Sequence, residues 1–139
     1  MEHPTISSDE FKKRLPQLCL TAKTVELPRR LRDRHILLKA ISLHFDSDRF
    51  YTEPEVNRII KRWLSDVGQS LEIDHVTLRR ALVDESYLSR AAGGVPYQVG
   101  TLSGRQFSFS EEINTLDVER VIHDAMQEID RRRELYRKV

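Results

Sequence analysis

The sequence has little cysteine: Cys19 is the single thiol among 139 residues. One thiol cannot form an internal disulfide or supply the several ligands of a zinc knuckle. Because Cys19 lies among Leu15, Leu18 and Leu20, we expect it to act as a small buried hydrophobic residue rather than as a reactive group.

Long apolar runs are also missing. No stretch approaches the roughly 20 apolar residues that cross a bilayer. The first residues, MEHPTISSDEFKK, lack the basic start and the apolar stretch of a signal peptide. We therefore expect no membrane contact and a cytoplasmic location.

Patterns typical of catalysis or metal binding are missing too. The five histidines, at positions 3, 35, 44, 75 and 123, show no ligand spacing with cysteine or acidic residues. The glycine-rich stretch GGVPYQVGTLSG lacks the spacing and the lysine of a phosphate-binding loop. No nucleophile is paired with a base. We expect a protein that is not an enzyme and that has no cofactor and no metal.

The sequence also lacks a large excess of positive or negative charge. The 23 basic and 22 acidic residues give a net charge of +1, whereas a nucleic-acid-binding protein often has a larger basic excess. The distribution is nevertheless uneven, and distribution matters more than the total. Residues 28–63 have nine basic and five acidic residues, a net of +4, and residues 64–100 have three and five, a net of −2.

Helix starts are the clearest features that the sequence does contain. Ser7 with Glu10, and Thr52 with Glu55, have the spacing of a capping box, and Asp74 is a further N-cap. Proline at position 16 predicts a break in the first helix. The predicted helices span residues 7–20, 29–45, 52–67 and 75–87, and a last helix runs from Asn114 or Thr115 to about Lys138.

Two short stretches bounded by glycines are candidate strands. Residues 95–99 and 106–109, with Gly93 and Gly94 as a turn before the first, predict a two-stranded β-ribbon. The expected fold is mainly α (α+β): a winged helix-turn-helix with a small two-stranded β-wing plus N-terminal and long C-terminal helices. The expected segments are an N-terminal helix and linker over 1–28, a winged-helix-like domain over 29–100, and a β-turn segment and long helix over 101–139.

Several motifs resemble a known family. The stretches LPRRLRDRHILLKAI, FYTEPEVNRII, DHVTLRRALVDESYLSR and GGVPYQV are similar to the uncharacterised bacterial domain of unknown function two-zero-eight-seven. The matching residues are Tyr51, Thr52, Glu53, Glu55, Val56, Asn57, Asp74, Leu78, Arg79, Arg80, Leu82, Val83, Asp84 and Arg90. The resemblance covers about half the chain, and the sequence departs from it between Trp63 and Asp74. It implies a winged-helix-like fold and a role in transcription.

The third helix of such a unit would enter the major groove of DNA. Thr77 and Arg80 fall on its outer side at 100° per residue, and we expect them to contact double-stranded DNA. Further expected contacts are Arg58, Lys61 and Arg62 on the second helix and Arg90 before the wing, with Arg29, Arg30 and Arg32 as weaker candidates.

Arg79 falls within the apolar face of the third helix, so we expect it to be half-buried and paired with Glu53 or Glu55. Asn57 is expected to bond to nearby backbone. If the protein does not bind DNA, the same fold is expected to bind a partner protein through the third helix or the wing.

The last helix has a heptad-like apolar seam formed by Val118, Ile122, Ala125, Ile129 and Tyr136. This seam predicts a homodimer in which it pairs with its twin or with the partner's first helix. The alternative is that the seam packs on the chain's own first helix.

Overall fold

The computed structural model of the protein describes residues 4–21, 26–90, 96–100 and 106–137. In these ranges the chain is mainly helical with two very small sheets, which confirms the predicted α+β class. The helices are α1 (Ser8–Pro16), α2 (Leu31–Ser42), α3 (Glu53–Asp66), α4 (His75–Asp84) and α5 (Val118–Arg137). The strands are β1 (Thr5–Ile6), β2 (Leu88–Arg90), β3 (Tyr97–Val99) and β4 (Ser108–Phe109).

The first helix begins at its predicted cap and changes form at its proline. The Ser7 hydroxyl accepts a hydrogen bond from the Glu10 backbone N–H at 3.1 Å. Glu10 does not complete a capping box, because its carboxylate binds Arg32 instead. At Pro16, which lacks an N–H, the α-helix gives way to a π-helical turn over Gln17–Thr21.

Two ion pairs join α1 to α2. Arg14 reaches the buried Asp33 with two nitrogens, at 3.0 and 2.9 Å. Arg32 reaches Glu10 in the same bidentate way, at 2.8 and 2.6 Å. Bidentate pairs between arginine and a carboxylate are among the stronger and better-oriented polar contacts, so α1 is held to α2 by polar groups as well as by its apolar face.

The pair formed by Glu10 and Arg32 predicts a measurable dependence of stability on pH. Hydrogen bonding from Arg32 lowers the pKa of the Glu10 carboxyl below its ordinary value of 4.5. A carboxyl with a lowered folded-state pKa stabilises the protein above the unfolded pKa, and this contribution disappears as pH falls through the folded pKa. Glu10→Gln should cost about 1 kcal/mol of unfolding free energy near neutral pH, and the difference from wild type should shrink towards zero in acid.

Urea unfolding of the wild-type protein and the variant, from neutral pH down to about pH 3, measures this difference. Asp9→Asn is the matched control, because Asp9 is the exposed neighbour with no side-chain partner in the described part of the chain. A Glu10→Gln deficit that stays constant down to acid pH would contradict the assignment.

α2 is the central helix of the fold. Ile36, Leu37, Leu38, Ala40 and Ile41 are all fully buried, so α2 is covered on almost every side, and α1 and α4 both pack on it. The helix is shorter than predicted, since it begins at Leu31 and ends at Ser42 rather than spanning 29–45.

α3 begins as the sequence predicted. The Thr52 hydroxyl accepts from the Glu55 N–H at 3.3 Å, and the Glu55 carboxylate accepts from the Thr52 N–H at 3.0 Å, which completes the capping box. Val56, Ile60 and Trp63 are buried. These contacts fix both the first residue of α3 and the side that faces the core.

α4 is capped by Asp74, whose carboxylate accepts from the Thr77 N–H at 2.8 Å. The helix ends at Asp84, short of the predicted Tyr87. The cause is Ser86, whose φ of +67° reverses the chain and allows the Tyr87 N–H to reach the Leu82 carbonyl at 2.8 Å. β2 follows immediately at Leu88.

The predicted pairing of the two strands was wrong. β3 pairs antiparallel with β2, so that Leu88 lies opposite Val99 and Arg90 lies opposite Tyr97. β4 instead pairs parallel with β1 at the N-terminus. The β2 stretch, Leu-Ser-Arg, is too short to show an alternating pattern, and the predicted turn at Gly93 and Gly94 lies outside the described residues.

The cap of the last helix was also wrongly predicted. Asn114 and Thr115 lie in a separate 3₁₀ turn, Glu111–Thr115. The Asp117 carboxylate accepts from the Arg120 N–H at 3.2 Å, one residue before α5 begins at Val118. The predicted end at Lys138 lies outside the described residues. Val118 and Ile122 are buried on the side where α5 packs against α1.

One apolar core joins residues from all three predicted segments. Phe11 and Leu15 come from α1, the apolar residues of α2 to α4 form the middle, and Ile113 and Ile122 come from the last segment. α4 packs on both α2 and α3, and β2 packs against α4, so the hairpin of β2 and β3 lies beside α4.

Candidate nucleic-acid interface

The outer side of α4 presents the two residues that were predicted to read DNA. Leu78, Ala81 and Leu82 point into the core, and Thr77 and Arg80 are exposed on the opposite side together with Asp84. The Arg80 guanidinium has no hydrogen-bond or ion-pair partner among the described residues. Arg80 is therefore available to a ligand without breaking an internal contact.

Arg79, the preceding residue, serves the fold instead. Its guanidinium donates to the Asn57 side-chain oxygen at 2.6 Å and lies 3.6 Å from the Glu53 carboxylate. The side chain is only 15% exposed. The expectation that Asn57 bonds to backbone was wrong, because its side-chain oxygen accepts the hydrogen bond from Arg79. Glu55 does not pair with Arg79, since it forms an ion pair with Arg49 at 2.7 Å.

Glu53 also connects the hairpin to this cluster. Arg90 on β2 lies 3.8 Å from Glu53, and its guanidinium stacks 5.1 Å from the centre of the Tyr97 ring. The Tyr97 hydroxyl donates to Glu53 at 3.1 Å. Burial, together with this hydrogen bond, raises the pKa of Tyr97. The start of α3, the side of α4 and the hairpin therefore meet at one carboxylate.

The cations of α3 lie on two different sides of the helix. Lys61 is about 40° from Asn57, which contacts α4, and Arg62 is about 140° from it, at 100° per residue. The charged groups of Arg58 and Lys61 are exposed and have no hydrogen-bond or ion-pair partner within the described ranges. By the helical wheel, Lys61 therefore lies on the side of α3 that contacts α4, and Arg62 lies away from that side.

Arg62 lines a separate cleft of about 280 Å³ with His44 and Glu119. It also lies 3.6 Å from Asp66, one turn further along α3. Because this cleft faces α5 rather than α4, Arg62 does not belong to the same surface as Arg80. The six residues that were predicted to contact DNA are therefore not all on the surface that presents Arg80.

The basic residues at the start of α2 are mostly engaged inside the protein. Arg32 is bound to Glu10, and Arg30 lies 3.7 Å from Asp33. Arg29 remains exposed. Arg32 and Arg30 are thus partly neutralised by Glu10 and Asp33, but α1 also brings Arg14 to Asp33, so the net charge excess of residues 28–63 remains.

A buried histidine was missed by the sequence reasoning. His35 on α2 is fully buried, with Nδ1 at 2.7 Å from the Tyr87 hydroxyl and Nε2 at 3.2 Å from the Glu85 carboxylate. Nε2 faces two acceptor oxygens, those of Glu85 and Gln106, so this nitrogen is the one that donates a hydrogen bond. The partners are 50 or more residues apart in the chain, so no local spacing marks them. This contact anchors the turn between α4 and β2.

The described residues include histidine, cysteine and acidic side chains. They contain no group of three or more histidine, cysteine or acidic residues placed to hold a metal ion. Burial raises the pKa of the Cys19 thiol to about 12, so the reactive thiolate is disfavoured at neutral pH. None of the helices in the described ranges has the length and apolar character needed to cross a bilayer.

Comparison with protein families gives one match. The model of the family described as "Uncharacterized protein conserved in bacteria (DUF2087)" matches residues 23–99, which include α2, α3, α4 and the hairpin. In the same comparisons no curated protein and no solved structure matches the chain.

Proposed function

The chain belongs to the bacterial family DUF2087, and on that premise we propose that it is a small cytoplasmic, transcription-associated protein that binds double-stranded DNA. In this proposal α2, α3, α4 and the hairpin act as a winged helix-turn-helix unit, and α4 enters the major groove. The role is one of binding rather than catalysis.

One observation carries the proposal. The outer side of α4 presents an uncommitted arginine, Arg80, and α3, which packs against α4, exposes Lys61. Phosphate contacts from lysine and arginine supply most of the sequence-independent affinity for DNA. Arg80 and Thr77 project from the first two turns of the helix, the part from which a recognition helix contacts base edges.

The neighbouring arginines support the shape of the interface. Arg79 holds α4 against Asn57 and Glu53, and Arg90 holds the hairpin against the same glutamate. A rigid support of this kind keeps exposed contact residues at fixed relative positions. In the proposal, Arg90 touches the DNA backbone from the wing, and Arg58 and Lys61 contact phosphates from α3.

Charge reversal at Arg80 tests the proposal. Arg80→Glu should weaken binding to duplex DNA by about tenfold or more, because it removes one cationic contact and adds a repulsive one. Lys61→Ala should reduce the slope of log affinity against log salt by about one. Fluorescence anisotropy of labelled duplex DNA, at low and at roughly physiological salt, measures both effects.

Lys13→Glu is the matched control, since Lys13 is an exposed lysine on α1, outside the proposed interface. This variant makes the same change in net charge and should bind like the wild-type protein. Equal affinity of Arg80→Glu and wild-type protein would contradict the proposal, as would an absence of binding at low salt.

A second candidate is a winged-helix module that binds a partner protein and has no affinity for DNA. The observation that favours it is Asp84, which is exposed on the same side of α4 as Arg80, so this side carries one positive and one negative charge. A phosphate surface would repel Asp84. The DNA titration separates the two candidates, because this second one predicts no binding at any salt concentration.

A further inference from the structure

α5 divides into a packed part and a free part. The helix has 20 residues and is therefore about 30 Å long. Val118 and Ile122 are buried, and Ala125 and Ile129 are half-buried, but every residue over 130–137 is exposed. Among the described residues, the predicted apolar seam therefore packs against the rest of the chain only in its first half.

The free part ends in apolar side chains that the described residues leave exposed. Tyr136 is 83% exposed and Leu135 is 54% exposed. Aromatic side chains bring a large apolar surface to an interface and usually place their hydroxyl at its wet edge.

An open groove lies at the other end of the same helix. It runs between α1 and α5 and has a volume of about 510 Å³. Pro16, Leu116, Val121 and Ala125 supply its apolar lining. The groove and the free end therefore stand at opposite ends of α5.

We infer that a second copy of this chain pairs antiparallel along α5 and inserts its Tyr136 into the groove between α1 and α5. A two-fold axis near residue 129 relates the two helices, so each copy gives one tyrosine and receives one. Such an isologous interface uses every contact twice. The groove is filled only when the partner copy is present.

The positions around the helix agree with this pairing. Tyr136 follows Ala125 by 11 residues, so the two side chains lie about 20° apart around the helix axis. Ala125 lines the groove. Under a two-fold axis the same side of both helices faces the partner, and Tyr136 is on that side.

The charges of α5 favour the antiparallel orientation of two copies. Residues 117–130 contain five acidic residues and one arginine, and residues 131–137 contain four arginines and one glutamate. A parallel pair would bring like charges together, whereas an antiparallel pair opposes the acidic half of one helix to the basic half of the other. This self-complementarity identifies a second copy, rather than an unrelated protein, as the occupant.

Sedimentation equilibrium of the full chain over a range of concentrations tests the inference without DNA. The wild-type protein should dimerise, and Tyr136→Glu should weaken the dimer at least tenfold, because it removes the aromatic ring that fills the groove. Far-ultraviolet circular dichroism should show that the variant remains folded, since Tyr136 makes little contact within its own chain.

Two further variants make the test specific. Met126→Glu adds the same charge to an exposed apolar position of α5, about 80° from Tyr136 and turned away from the partner, and it should leave the dimer intact. Asp124 lines the groove, and Arg132 precedes Tyr136 by one helical turn. Asp124→Arg and Arg132→Asp should each weaken the dimer, and the double variant should recover affinity, as expected when Arg132 of one copy approaches the groove of the other.

A wild-type protein that stays monomeric at about 100 µM, well above the Kd of a stable complex, would overturn the inference. So would a dimer that is unaffected by Tyr136→Glu, or one that Met126→Glu disrupts equally. The sedimentation experiment involves no DNA and no residue of α4. A failure of the dimer inference can therefore be distinguished from a failure of the proposed DNA binding.

Discussion

Gly100→Ala is expected to lower the free energy of unfolding by about 3 kcal/mol. A Cβ atom at this position would lie 2.3 Å from the Ser86 carbonyl oxygen and 2.9 Å from its carbonyl carbon. These are backbone atoms, so no rotamer change can relieve the overlap. Either β3 must separate from β2 or the turn that follows α4 must shift. Urea unfolding of the variant and the wild-type protein measures the loss.

The turn cannot yield easily, because it is held from several sides. Ser86 already occupies a left-handed conformation, at φ +67°. The Gly100 N–H donates to the Tyr87 carbonyl at 2.9 Å, and the Tyr87 hydroxyl is bound to the buried His35. A shift that made room for a methyl group at residue 100 would therefore break polar contacts in the core.

Gln98→Ala serves as the control for this prediction. Gln98 is exposed on the same strand, so its truncation should change the unfolding free energy by less than about 0.5 kcal/mol. If Gly100→Ala is no more destabilising than Gln98→Ala, the close approach of Gly100 to the Ser86 backbone is contradicted.

Helix starts could be predicted from the sequence because capping is a short-range property. The contacts of Thr52 with Glu55, and of Asp74 with Thr77, join residues three positions apart. The spacing alone therefore determines whether the contact can form. The cap of the last helix could not be predicted in this way. Asn114, Thr115 and Asp117 are all chemically suitable caps, and only the packing selects Asp117.

Strand pairing could not be predicted, because its partners are distant in the chain. β1 and β4 are about 100 residues apart and contain two residues each. Strands of this length show no alternation, and their pairing depends on how α1 and α5 bring the two ends of the chain together. The Arg32 side chain illustrates the same limit, since its partner Glu10 lies 22 residues away.

The candidate interface was predictable to the extent that it depends on one helix. The 100° step places Thr77, Arg80 and Asp84 on the outer side of α4, and the structure has them exposed. The separation of Arg62 from Lys61 depends on which side of α3 faces α5. That relation is set by the tertiary packing of a helix that begins more than 50 residues later.

Phe11→Ala is expected to lower the free energy of unfolding by about 4 kcal/mol. Phe11 is fully buried on α1, which packs against both α2 and α5. The substitution removes an aromatic ring from the side of the core that covers α2, and the buried neighbours cannot all collapse into the space. Lys13→Ala on the exposed side of the same helix should change the unfolding free energy by less than about 0.5 kcal/mol.

The probe used in this experiment decides whether α1 is part of the unit that includes the candidate interface. Trp63, the single tryptophan, lies on α3 within residues 23–99, and Phe11 lies outside them. Since the two residues belong to one core cluster, Phe11→Ala should lower the midpoint of the Trp63 fluorescence transition as much as that of the helical circular dichroism. Coincident midpoints indicate one cooperative unit. A Trp63 transition that keeps its wild-type midpoint while part of the helical signal is lost would mean that residues 29–100 fold separately, and that α1 only covers them.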